Sequence, residues 1–145
     1  DETYPEPTLR SIDKPEEMLE WLRLATSIHM TGIKPYIYFK RMSGKIQKSA
    51  EEEAKYLALQ KDEEMRAFHK KFTGSDGIDP KDVEAAIAVL EDCFGRLEKA
   101  LEGNEWILGD QYTLADISWV PMAVTHWSQS MPNSRSKVVW AWVVP

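Results

Sequence analysis

The chain has 145 residues and a mass of 16.7 kDa, the size of one domain able to bury roughly 70% of the surface its unfolded chain would expose. Apolar residues at 43% and charged residues at 29%, with seven Gly and eight Pro, exclude a disordered, collagen-like or low-complexity chain. The 24 Asp and Glu against 18 Lys and Arg leave a net charge of -6, which speaks against nucleic acid or an anionic membrane as partner.

Cys93 is the single cysteine and can form no internal disulfide, so nothing points to an oxidising compartment. No apolar run approaches the roughly 20 residues of a membrane span, and the N-terminus lacks the pattern of a signal peptide. The predicted location is cytoplasmic.

Residues 1–14 carry Pro5 and Pro7 without apolar periodicity and read as an extended linker. A start at Asp1 rather than Met, together with an apolar stop at Val143-Val144-Pro145, predicts a piece of a longer protein. Asp13 offers an N-cap, with Pro15 in the first turn and Glu16 behind it, so a helix is expected to begin there. Met18, Leu22, Ala25, His29, Gly32, Tyr36 and Phe39 alternate at spacings of four and three and predict one helix to about Gly44, kinked at Pro35.

Ser49 followed by Ala50-Glu51-Glu52-Glu53 opens a second helix, predicted to run to Phe72 with its charges as a solvated face, before Thr73-Gly74-Ser75-Asp76-Gly77 breaks it. Asp79-Pro80 starts a third helix, where Val83, Ile87, Leu90, Phe94, Leu97 and Leu101 form a seam that ends near Gly103. Such a seam packs inside a bundle. Asn104 to Asp110 is a short apolar loop, and a fourth helix follows from Thr113 to about Gln129 with Pro121 inside it. Only the run Val138 to Val144 competes as a strand.

Thr113-Leu114-Ala115-Asp116-Ile117 carries the most information. As N-cap, Thr113 would accept from the Asp116 amide, the Asp116 carboxylate would return a bond to the cap amide, and Tyr112 would pack on Ile117 as a hydrophobic staple. This constellation serves folding. Trp106-Ile107-Leu108-Gly109 followed by Gln111-Tyr112-Thr113-Leu114-Ala115-Asp116-Ile117-Ser118 resembles the signature of the all-helical C-terminal domain of cytosolic glutathione transferases. Asp1-Glu2-Thr3-Tyr4-Pro5 is similar to the end of that family's thioredoxin-like domain and linker, and Glu20-Trp21-Leu22 to a triplet of many bacterial members. Bacterial beta-like transferases and the related β-etherases are nearest in character.

The resemblance implies an all-α helical bundle without the thioredoxin-like N-terminal domain, divided as linker 1–14, transferase C-terminal domain 15–131, and an atypical or truncated end 132–145 where Ser134 to Trp140 carries no matching helix. It implies glutathione as co-substrate, bound mainly by the absent domain, a hydrophobic electrophile as second substrate, and a homodimer in the intact protein. This chain alone is then expected to be inactive, with no catalytic residue of its own. A non-catalytic interaction module is the alternative, since related domains occur on translation factors and aminoacyl-tRNA synthetases.

His29 is a core or dimer-interface histidine, or it lines a recess for the electrophile beside Gly32, as the resemblance to beta-like members with a histidine on this helix implies, or it acts directly as acid or base. A count without a gap from Glu20-Trp21-Leu22 would place Met30 there instead. Ile33, Tyr36, Trp119 and Met122 are the other candidate pocket residues, although such residues are more often plain core. Cys93 reads as an inert buried thiol. His69 and His126 are spaced neither with each other nor with Cys93 as metal ligands, so no metal is expected. Lys34, Lys40, Arg41, Lys45 and Lys48 fall in a stretch without acids between residues 21 and 50. They either offset the negative end of the first helix or face glutathione or an acidic helix of a partner subunit.

Overall fold

The computed structural model describes residues 8–42 and 44–128, with side chains up to residue 124. The start of the linker, the run Val138 to Val144, the proposed atypical end and the His126 side chain lie outside the described residues.

The first helix, α1, spans Pro15–Ile28, with Pro15 at its first position. Its N-cap is Lys14 rather than Asp13, and no side chain caps it; the Ser11 hydroxyl accepts from the Lys14 amide instead, at 3.0 Å. The expected single helix to Gly44 is divided. His29–Ile33 forms a π-helical turn, closed by the Lys34 amide donating to the His29 carbonyl five residues back, and α2 continues over Lys34–Met42. Pro35 explains the widening, because it has no N–H for the Thr31 carbonyl and its ring would collide with that carbonyl in a regular α-turn.

The second predicted helix is also two: α3, Ala50–Leu59, and α4, Glu63–Thr73. Ser49 caps α3 with a reciprocal box, its hydroxyl accepting from Glu52 N and the Glu52 side chain accepting from Ser49 N. Asp62 restarts the chain as α4 by accepting from the Met65 amide at 3.0 Å. A cap of this strength gives the chain an alternative to continuing α3, which uniform Glu and Lys content cannot reveal.

Helix α5 spans Pro80–Leu101 with Asp79 as its cap, and buries Val83, Ala86, Leu90, Cys93, Phe94, Leu97 and Leu101. The predicted seam is therefore the buried face, with Ile87 half-buried at its edge. Helix α6, Leu114–Ser128, contains Pro121. Among the described residues there is no strand, only an isolated bridge between Trp106 and Gly109.

Helix α1 packs on α6 and α5, the π-helical turn packs on α5 and α6, and α2 packs on α5 and α4. Trp119 stands where α1, α5 and α6 meet, fully buried, edge-on to Trp21 at 5.4 Å and to Phe94 at 6.0 Å. Its indole N–H donates to the Trp21 carbonyl at 3.0 Å, satisfying the one polar atom that burial of this ring would orphan. Gly32 lets the π-helical turn approach α5: a Cβ there would lie 3.0 Å from Leu90 Cδ2 and Cγ.

The buried line of the first segment is Met18, Trp21, Ala25 and Ile28, continued by Gly32, Ile33 and Tyr36. It shares Met18, Ala25, Gly32 and Tyr36 with the predicted stripe, but takes Trp21 and Ile28 in place of Leu22, which is half-buried, and His29, which is exposed. Both lines obey helical spacing, and the one containing Trp21 and Ile28 removes far more apolar area from water.

Candidate functional site

The most fully built polar constellation is the junction that starts α6. Thr113 and Asp116 are both 0% exposed. One carboxylate oxygen of Asp116, Oδ2, accepts from the Thr113 amide at 2.8 Å and from the Thr113 hydroxyl at 3.0 Å. The other, Oδ1, accepts from the Ile107 amide at 2.9 Å. The predicted return bond from Asp116 is thus present, but Thr113 Oγ1 accepts from Ala115 N, at 3.3 Å, rather than from the Asp116 amide. The hydroxyl proton is turned onto Oδ2, and that geometry aims the remaining lone pairs at the nearer amide.

The loop before the junction follows from the same carboxylate. Trp106 and Gly109 exchange two backbone bonds of 2.8 and 3.0 Å around a tight turn that Gly109 closes at φ 112°. The turn drives Ile107 and Leu108 into the core, 2% and 6% exposed, while the Ile107 amide, buried with them, is satisfied by Asp116. Tyr112 turns its ring against Trp106 at 4.7 Å, and both Tyr112 and Ile117 remain about 40% exposed, in place of the predicted staple.

Residues 8–14 clamp this junction from outside. The Leu9 carbonyl accepts from the Leu114 amide at 2.9 Å, filling one of the donors left open at a helix start. Lys14 Nζ donates to the Leu108 carbonyl at 3.0 Å, and Gln111 Nε2 donates to the Arg10 carbonyl at 3.3 Å. The Ile107 bond and the clamp are absent from the sequence reading. Asn104 to Asp110 could be read as a loop, but which amide it would bring to Asp116 depends on the path of that loop.

Three of the candidate pocket residues are buried. Trp119 is spent on the core as described, and Ile33 and Tyr36 are 4% and 3% exposed. Burial pushes the Tyr36 phenol above its ordinary range. His29 is exposed, so its reading as a core histidine is corrected, and Met122 is half-buried against the core. The π-helical turn bearing His29 nevertheless touches α6, which bears Met122. Cys93 is buried as predicted; burial first, then the Asp92 charge, raises its thiol away from the thiolate form. Lys40 and Arg41 occupy the last turn of α2, where they oppose its negative end. No helix among the described residues is long and apolar enough to cross a membrane.

Residues 80–143 match the family model for the glutathione S-transferase C-terminal domain. No curated protein and no solved structure matches the chain. The matched stretch contains α5, the Asp116 junction and α6, and the all-α architecture agrees with it. The match supports a glutathione S-transferase C-terminal domain here, and with it a glutathione transferase-like role in general.

Proposed function

We propose that this chain is the substrate-pocket and dimerisation half of a cytoplasmic glutathione transferase, of bacterial beta-like or β-etherase-like character, that adds glutathione thiolate to hydrophobic electrophiles. The observation that carries the reading is the buried Thr113–Asp116 junction lying inside the stretch that matches the family. Glutathione would be bound and ionised mainly by a thioredoxin-like domain, and the intact protein would act as a homodimer. The only thiol in this chain is buried and raised, which fits a chain that supplies no nucleophile.

Exposed His29 and half-buried Met122 are proposed to touch the electrophile, with Ile33, Tyr36 and Trp119 as the rigid layer behind them. The chain alone is expected to show no conjugation of glutathione to a chromogenic electrophile, and measurable turnover would refute that. In the parent protein, His29→Ala and Met122→Ala are expected to raise KM for the electrophile about fivefold while leaving KM for glutathione unchanged. A parent reading frame without a thioredoxin-like domain ahead of Asp1 would end the enzyme reading.

A further inference from the structure

A second polar cluster lies where α2, α4 and the start of α3 approach one another, and it uses none of the residues assigned to the electrophile. Thr73, 3% exposed, closes α4, and its hydroxyl donates to the His69 carbonyl at 2.9 Å. With that proton spent, Thr73 Oγ1 accepts from the Lys48 ammonium at 2.5 Å and from His69 Nδ1 at 3.2 Å. The hydrogen-bond count therefore assigns a hydrogen to Nδ1 and leaves the lone pair of neutral His69 on Nε2.

The His69 ring meets Tyr56 at 5.0 Å and Phe68 at 5.4 Å, both edge-on. Lys48 Nζ stands 5.0 Å from the centre of Tyr56, and Lys34 Nζ stands 5.0 Å from the centre of Phe68. Two ammonium groups thus flank the imidazole, each over one of its aromatic neighbours. Burial, then Lys48 and Lys34, hold His69 below the usual histidine range. Among the described residues neither lysine forms an ion pair. The carboxylates that sense Lys48 are committed elsewhere: Glu52 accepts from the Ser49 amide and hydroxyl, and Glu53 from the Ser75 amide and hydroxyl.

Two ammonium groups without an ion pair and an imidazole nitrogen without a hydrogen-bond partner thus gather on half-dry aromatic surface, with the nearest carboxylates, Glu52 and Glu53, hydrogen-bonded elsewhere. We propose that Lys34, Lys48 and His69 form a binding site for a free, small oxyanion of the phosphate type, seated by the edges of Phe68 and Tyr56. Its negative charge offsets the repulsion between the two ammonium groups, and His69 Nε2 takes up a proton from solvent as a dianion enters. Among the described residues, Glu52 and Glu53 on α3, Lys70 on α4, the phenol of Tyr56 and that of Tyr38 on α2, whose ring lies 5.8 Å from Phe68, are the other ionisable groups around this face. The two glutamates weaken the site without blocking it.

The test follows His69 of the full chain by proton NMR through a pH titration, in sodium phosphate and in sodium chloride of equal ionic strength. The expected result is saturable binding of inorganic phosphate and a His69 midpoint about half a pH unit or more higher in phosphate. Lys34→Met and Lys48→Met are each expected to weaken phosphate about tenfold, with Lys40→Met, an exposed change elsewhere on α2, leaving it unaltered. The same His69 midpoint in both salts overturns the site, as does an equal loss in Lys40→Met. Glutathione conjugation enters none of these readings, so the transferase reading and the oxyanion site stand or fall separately.

Discussion

Asp116 holds three donors on two oxygens while wholly removed from water, and this makes it the most consequential side chain of the α6 start. Replacing it leaves the Ile107 and Thr113 amides buried without acceptors, and each such group costs about 1 to 3 kcal/mol. Asp116→Ala is therefore expected to lower stability by about 3 to 5 kcal/mol, against about 0.5 to 2 kcal/mol for Thr113→Ala, which removes the cap and the hydroxyl donor but leaves both amides on the carboxylate. Urea unfolding of the two variants measures the difference, and equal losses would show that the Ile107 bond contributes nothing. The Thr113 half of this device was legible because its partners lie within one turn. The Ile107 half was not, because a loop had to bring that amide nine residues back to the carboxylate. His29 shows the same limit from the other side. Two stripes of equal spacing compete on α1, and the area of Trp21 and Ile28 decides between them.

Among the elements, the π-helical turn is where local sequence and packing meet. Pro35 disfavours a regular turn before it, and Gly32 allows that turn to rest against Leu90. Gly32→Ala would gain about 1 kcal/mol of helix propensity, but the added methyl meets a leucine that is only 1% exposed and has no room to withdraw. Overpacking of that kind costs about 1 to 3 kcal/mol, so the net effect is expected to be a loss of about 1 kcal/mol. The same substitution made together with Leu90→Ala should fall short of the sum of the single losses by at least about 0.5 kcal/mol, as contacting residues do. Strict additivity in denaturant unfolding would contradict the contact. A kink near Pro35 could be read from the sequence, but its form as a π-helical turn could not. The division of α3 from α4 was likewise hidden: Ala58 to Lys61 all favour helix, and the capping bond of Asp62 acts only once the chain has turned.

At the scale of the whole molecule, the all-α class was readable from periodicity, most securely in the 22 residues of α5, where one seam repeats over about five turns. The centre of the molecule was not. Helix α6 is apolar on several sides, so its sequence does not say which side faces inward, and Trp119 becomes the hub only because α1 and α5 converge on it. The clamp of residues 8–14 on the α6 start bears on the order of assembly. Lys14 and Leu108 are 94 positions apart, and Arg10 and Gln111 are 101 apart, whereas the cap of Thr113 closes within three residues. Closing so long a loop before the core exists carries an entropy that the clamp's three polar bonds cannot offset, so the clamp forms after the barrier while the cap can form with its helix. Lys14→Met is accordingly expected to speed unfolding and leave the folding rate unchanged, whereas Thr113→Ala alters both, as stopped-flow chevrons would resolve. Residues 8–14 are then a kinetic latch, governing how long the folded chain survives rather than how quickly it is reached.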